Sequence, residues 1–142
     1  MAFLLALFCL FTLPAFSKPI LNEHAEVSII RIESNEQTET LGIHFKLKPD
    51  WHIYWKNPGD AGLPTTVEWS GPGELAFGPL VYPPSQQFVD PGDIRTNGYS
   101  GMVVLSSAVT AELLRNADPT RSLPIMARVK WLACKEVCIP GS

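Results

Sequence analysis

Leu41, Ile43, Phe45 and Leu47 alternate with Gly42, His44, Lys46 and Lys48, a period of two that marks a strand with one buried face. Trp51, Ile53 and Trp55 continue the alternation after Pro49-Asp50, which puts His44, His52 and Tyr54 on outward faces. Upstream, Ala25, Val27 and Ile29 alternate with polar residues until the phase slips at Ile29-Ile30, where a bulge is predicted. Thr65, Val67 and Trp69, then Met102 to Val109, then Ile125, Ala127, Val129, Trp131 and Ala133 supply further strands. Turn signals separate them, among them Asn57-Pro58-Gly59-Asp60-Ala61-Gly62, Gly71-Pro72-Gly73, Tyr82-Pro83-Pro84 and Asp90-Pro91-Gly92-Asp93. One short helix is predicted over Ala111 to Ala117, capped by Thr110 and stopped by Asp118-Pro119. The pattern predicts an all-β fold, an antiparallel β-sandwich of immunoglobulin-like style. The four tryptophans, Trp51, Trp55, Trp69 and Trp131, fall at strand positions that suit a core better than a binding platform.

Composition fits one domain: 142 residues, 46% hydrophobic, with thirteen prolines and ten glycines that disfavour a helical protein. A net charge of -3 without a basic stripe argues against nucleic acid as a partner. Residues 1–17 are almost wholly apolar up to Ala15-Phe16-Ser17, which reads as a secretory signal peptide cleaved after Ser17. Export would place residues 18–142 in an oxidising compartment. Because the cysteine segment is expected to return as a partner strand and Ser142 follows directly on it, the domain is expected to be the N-terminal piece of something longer, or a sequence cut short at its C-terminal end.

Cleavage removes Cys9 and leaves Cys134 and Cys138, in Trp131-Leu132-Ala133-Cys134-Lys135-Glu136-Val137-Cys138-Ile139-Pro140. Paired thiols in an exported protein become disulfides unless something keeps reducing them. In an extended strand residues four apart lie about 13 Å apart, whereas a disulfide needs Cα atoms within about 7 Å. The chain must therefore turn at Lys135-Glu136-Val137, by a three-residue hairpin loop or one helical turn. By alternation Cys134 points away from the core. So small a ring gains only about 2 kcal/mol of loop-closure entropy before strain is subtracted. Lys130 and Lys135 would lower the thiolate pKa of exposed thiols, with Glu136 offsetting them. Reactivity is favoured over scaffolding.

The run Trp51-His52-Ile53-Tyr54-Trp55-Lys56-Asn57-Pro58-Gly59-Asp60-Ala61-Gly62-Leu63-Pro64, with Val67-Glu68-Trp69, Gly98-Tyr99-Ser100-Gly101 and the cysteine segment, resembles the N-terminal periplasmic domain of the DsbD/ScsB transmembrane thiol:disulfide reductases. The three residues between the cysteines place it nearer the ScsB (suppressor of copper sensitivity) branch. The resemblance implies a protein-disulfide reductase domain in the periplasm, without a cofactor, whose catalytic residues are Cys134 and Cys138. They would take electrons from a transmembrane thiol reductase domain by way of a thioredoxin-like domain. The recipients would be periplasmic disulfide isomerases, cytochrome c maturation thioredoxins or other thioredoxin-like or peroxiredoxin-like clients. It further implies an aromatic cap over the cysteines, by position Phe88 and next Tyr99. It favours Cys138 as the cysteine that forms the mixed disulfide, whereas the outward position that alternation gives Cys134 would equally serve Cys134. Tyr54, as an outward aromatic, and Asp60, as a residue able to orient the cysteine loop, complete the candidates for partner contact.

Two other classes compete with redox exchange. Cys-x-x-x-Cys is also a copper-binding spacing, with Cys134 and Cys138 as ligands, but it lacks a third ligand close in sequence, since His24, His44 and His52 are all distant. A non-catalytic interaction module is the other, because sandwiches of this kind commonly bind proteins without chemistry. Each histidine also has a simpler reading as a solvated surface side chain. No motif for a hydrolase or a phosphate-binding loop occurs.

Overall fold

The computed structural model describes residues 18–34, 38–73, 75–111 and 123–142. The predicted leader and all of the predicted helix except Ala111 lie outside the described residues. Ala111 itself ends a strand. Eleven strands are described: β1 (Ile20–Leu21), β2 (Ala25–Ser34), β3 (Thr38–Leu47), β4 (His52–Gly59), β5 (Thr66–Ser70), β6 (Leu75–Phe77), β7 (Gln86–Asp90), β8 (Ile94–Ser100), β9 (Met102–Ala111), β10 (Met126–Cys134) and β11 (Cys138–Gly141). They form two antiparallel sheets, one ordered β1-β2-β3-β9-β6, the other β11-β10-β4-β8-β7 with β5 paired to the first half of β10. The result is an immunoglobulin-like β-sandwich.

The alternation in β3 is realised as read, with Leu41, Ile43, Phe45 and Leu47 at most 6% exposed. The facing sheet contributes Ile53, Trp131 and Ala133 to the same core, and Phe45 meets Trp131 edge to face at 5.5 Å. Complete burial of a side chain such as Phe45 is worth about 1.5–3 kcal/mol. Trp51, Trp55 and Trp69 pack against this core partly buried, and Trp69 Nε1 donates to Ser107 Oγ at 3.0 Å, linking β5 to β9 in the other sheet. The phase slip in β2 comes later than predicted. Pairing with β3 runs in register through Ile29↔Ile43, Ile30↔Gly42 and Arg31↔Leu41, and the irregularity falls between Arg31 and Glu33. Ile30 and Ile32 are apolar for a different reason. Together with Val104 they lie within reach of the space a side chain at Gly42 would fill, on the outer face of the sheet.

Two tight crossings carry the chain between sheets close to the cysteines. After β3 the backbone turns at Asp50, which has the left-handed φ of 69°, and enters β4. After β8 it turns at Gly101, with φ 70°, a region that costs glycine little. The Gly101 carbonyl accepts from Leu47 N–H at 2.7 Å, so the two crossings are tied together.

Candidate functional site: the Cys134–Cys138 hairpin

β10 ends at Cys134, the chain turns over Lys135-Glu136-Val137, and β11 returns from Cys138 in the register Trp131↔Gly141, Leu132↔Pro140, Ala133↔Ile139 and Cys134↔Cys138. Of the two turns compatible with the sequence, the hairpin loop is the one formed. Register partners face each other, so the two cysteines are bonded in a disulfide with Cα atoms 4.1 Å apart, close to the roughly 4.5 Å of a narrow antiparallel pair. Lys135 N–H donates to the Val137 carbonyl across the loop. Lys135 Nζ reaches the Asp50 carboxylate at 3.1 Å, tying the hairpin tip to the β3–β4 crossing.

The two sulfurs are not equivalent. Cys138 is exposed, while Cys134 is 3% exposed, against the expectation that Cys134 faces solvent. His52 and Tyr54 were also expected outward, yet they are 7% and 3% exposed. Alternation assigned all three to the face away from the main core, and none of them belongs to that core. Alternation cannot say whether a second layer covers that face, and here one does. His52 is the register partner of Cys134. Phe88 stacks on the His52 imidazole at 4.5 Å and 18°, and Tyr54 meets the same imidazole edge to face at 5.3 Å. The Tyr54 hydroxyl donates to Cys134 Sγ at 3.0 Å. Burial first, and then the Asp90 carboxylate, push the Tyr54 pKa up, so the phenol holds its proton as a donor.

Tyr54 is itself fixed from two directions. Its carbonyl accepts from Thr65 Oγ1 at 2.9 Å. Gly62, with φ 96°, packs so close beneath the ring that a Cβ there would overlap it. That glycine gives the Asn57 to Gly62 segment a second meaning beyond a turn signal: it lets the loop support the tyrosine that touches the sulfur.

The remaining predicted site residues are distributed differently. Phe88 is half-buried against His52. Tyr99 pairs with Ile53, belongs to the core cluster, is 4% exposed and donates to the Pro83 carbonyl at 2.7 Å. Burial, aided by Tyr82, pushes its pKa up to about 12. Asp60 accepts from Arg95 N–H at 2.8 Å and its own N–H donates to the Arg95 carbonyl, which pins the β4–β5 loop to β8 rather than orienting the cysteine loop. The surface reading fails for two histidines. His24 is 3% exposed against Trp51, and His52 lies in the cysteine cluster. Burial lowers the pKa of both, opposed by Glu23 and Asp90 respectively. His44 is half-buried. Among the described residues no group of three or more His, Cys, Asp or Glu side chains is placed to hold a metal ion. His52 and Asp50 were the contributors that sequence reasoning missed. The signal for His52 was its shared face with Tyr54 and Cys134.

The family model described as "Thiol:disulfide interchange protein DsbD, N-terminal" matches residues 20–142. The chain belongs to that family. No curated protein matches it in sequence. Among solved structures, the N-terminal periplasmic domain of ScsB from Proteus mirabilis is similar with a TM-score of 0.61 and 23% identity, over 84% of this chain and 44% of that one. The present chain thus spans less than half of that ScsB chain, and the likeness supports the sandwich fold. The N-terminal domain of Neisseria meningitidis DsbD in its reduced form is matched with a TM-score of 0.48 and 14% identity, over 81% of this chain and 78% of that one. Family membership and the Cys134–Cys138 disulfide together support a thiol–disulfide exchange domain.

Proposed function

We propose that this domain works in the periplasm as an electron relay, taking reducing equivalents from a thioredoxin-like domain fed by a transmembrane thiol reductase and passing them to periplasmic thioredoxin-like or isomerase clients. The observation that carries this reading is the asymmetry of the pair, one sulfur exposed and the other buried and hydrogen-bonded. Exchange proceeds by thiolate attack in line with the S–S bond. The partner's thiolate attacks Cys138 Sγ, the Cys134–Cys138 bond breaks, and Cys134 leaves as a thiolate that keeps the Tyr54 hydrogen bond. A hydrogen bond to an ionised acceptor is roughly twice as strong as a neutral one, so this contact strengthens as the bond breaks. The partner's second thiolate then attacks its own sulfur in the mixed disulfide, releasing Cys138 as a thiol and leaving the partner oxidised. Two electrons have moved. In the second half, Cys138 attacks a client disulfide and Cys134 resolves the adduct, which restores the Cys134–Cys138 disulfide and leaves the client reduced.

Phe88 is the cap in this scheme. Stacked on His52, it closes the face on which Cys134 lies and directs attack to Cys138. Tyr99, anchored in the core, does not serve as a second cap. The scheme is tested by titrating the pair against a dithiothreitol redox buffer, with alkylation and mass readout. A reversible potential above about -300 mV, the level below which structural disulfides usually lie, is expected; reduction only below it, or only on unfolding, would make the bond a staple.

A further inference from the structure

The exchange scheme leaves His52 without a chemical step, although it is the residue around which the cluster is built. It stands opposite Cys134 in the β4–β10 register and opposite Ser100 in the β4–β8 register. Phe88 lies on its face and Tyr54 at its edge. Its Nε2 is buried without a hydrogen-bond partner. Phe88 comes from β7, the edge strand of its sheet, and its neighbours Gln87 and Val89 are exposed. The ring–ring contact that Phe88 makes is with the imidazole beneath it.

We propose that His52 is the positioning residue of this site: as a neutral imidazole it seats Phe88 over Cys134 and so confines attack to Cys138, and when it takes up a proton the seat is lost. The proposal rests on the reading of Cys134–Cys138 as an exchange pair. A neutral imidazole stacks as a flat, largely apolar surface. A charged one in the same place would carry an N–H at Nε2, which has no hydrogen-bond partner in the seated arrangement, and a buried charge without its hydrogen bonds is costly. Turning the ring toward water relieves that cost and removes the surface on which Phe88 rests.

The surrounding groups set the direction of the effect. From β7, Asp90 favours the charged form. From β4, Tyr54 is a neutral phenol; from β10, Cys134 is uncharged in the disulfide, while in the reduced chain a Cys134 thiolate would add to the pull of Asp90 toward the charged form; from β8, the register partner is the uncharged Ser100. Lys135, the cation of the hairpin loop, is paired with Asp50. Burial outweighs Asp90, so the seated histidine holds its proton less readily than an open one. An open histidine titrates near its ordinary value of about 6.5. Below that value the open state binds more protons than the seated state, so acidification favours opening. Above it both states are neutral and the seat persists.

The test uses the full chain, reduced with dithiothreitol, freed of reductant and pulsed with iodoacetamide at about pH 8 and about pH 5, on either side of the imidazole range. The labelling rates of Cys134 and Cys138 are read separately by mass spectrometry. The Cys134-to-Cys138 ratio in the natural chain is divided by that in His52→Phe, which keeps an aromatic seat without a titrating group. The quotient is expected near one at the higher pH and to rise at least about fivefold at the lower, the open state being the minor one that acid populates. His52→Ala, with no seat, should show fast Cys134 labelling at both values. A quotient that stays flat overturns the proposal while leaving the exchange reading intact, and it decides the matter even if His52→Ala does not fold. A pair that dithiothreitol cannot reduce in the folded chain ends the exchange reading, and the His52 proposal with it.

Discussion

The two faces of the β10-β4-β8 sheet are built on different principles. On the inner face Ile53, Tyr99, Trp131 and Ala133 meet Phe45, Ile43 and Leu105 of the opposite sheet, so each side chain is held by a second full layer. On the outer face His52, Tyr54 and Cys134 are nearly as well buried, but among the described residues no second sheet lies over them, and His52 is covered by Phe88 from the edge strand β7. Equal burial therefore does not mean equal resistance to opening. The inner face stores stability, and in the proposed scheme the outer face controls access to a sulfur.

The contrast can be broken first where it is strongest. Phe45→Ala should destabilise the domain by about 3–5 kcal/mol, the range for large core aromatics, read as a lowered urea midpoint with little change in the order in which the two cysteines react. Tyr54→Phe removes the hydrogen bond to Cys134 Sγ while keeping the ring. Hydrogen bonds to charged groups are worth about 1.5–3 kcal/mol, and about 30 mV corresponds to 1.4 kcal/mol for this two-electron couple. The variant should therefore have a reduction potential lower by roughly 30–60 mV, because the reduced form loses its support. Phe88→Ala uncovers a half-buried ring site and should cost only about 1–2 kcal/mol of stability. Its larger effect should be on access, with Cys134 labelling faster by about tenfold. Lys135→Ala breaks an exposed ion pair with Asp50 and should change stability by less than about 1 kcal/mol, measurable as a small loss that vanishes in high salt.

Much of the inner face was legible from alternation alone. Leu41, Ile43, Phe45 and Leu47, then Trp131 and Ala133, lie where the period of two put them, because an apolar stripe on a strand has few places to go other than the core. The site was legible only in part. A turn at Lys135-Glu136-Val137 followed from distance, though not its hairpin form, and the outward placement of His52, Tyr54 and Cys134 followed from alternation, but their burial did not. The cover on His52 comes from Phe88, on a strand 36 residues further along, a non-local packing event that leaves no period in the sequence. Gly62 shows the same limit. Its place in a turn-rich segment was plain, whereas its contact with the Tyr54 ring required the fold.

The central claim is that partner thiolates enter through Cys138 and that Cys134 is the protected leaving sulfur. It is tested most directly by mixing the oxidised domain with a thioredoxin-like protein whose resolving cysteine has been replaced by serine, then mapping the trapped mixed disulfide by peptide mass spectrometry. The account predicts an adduct at Cys138 with Cys134 recovered as a free thiol. An adduct at Cys134, or none unless the domain is first unfolded, would contradict it.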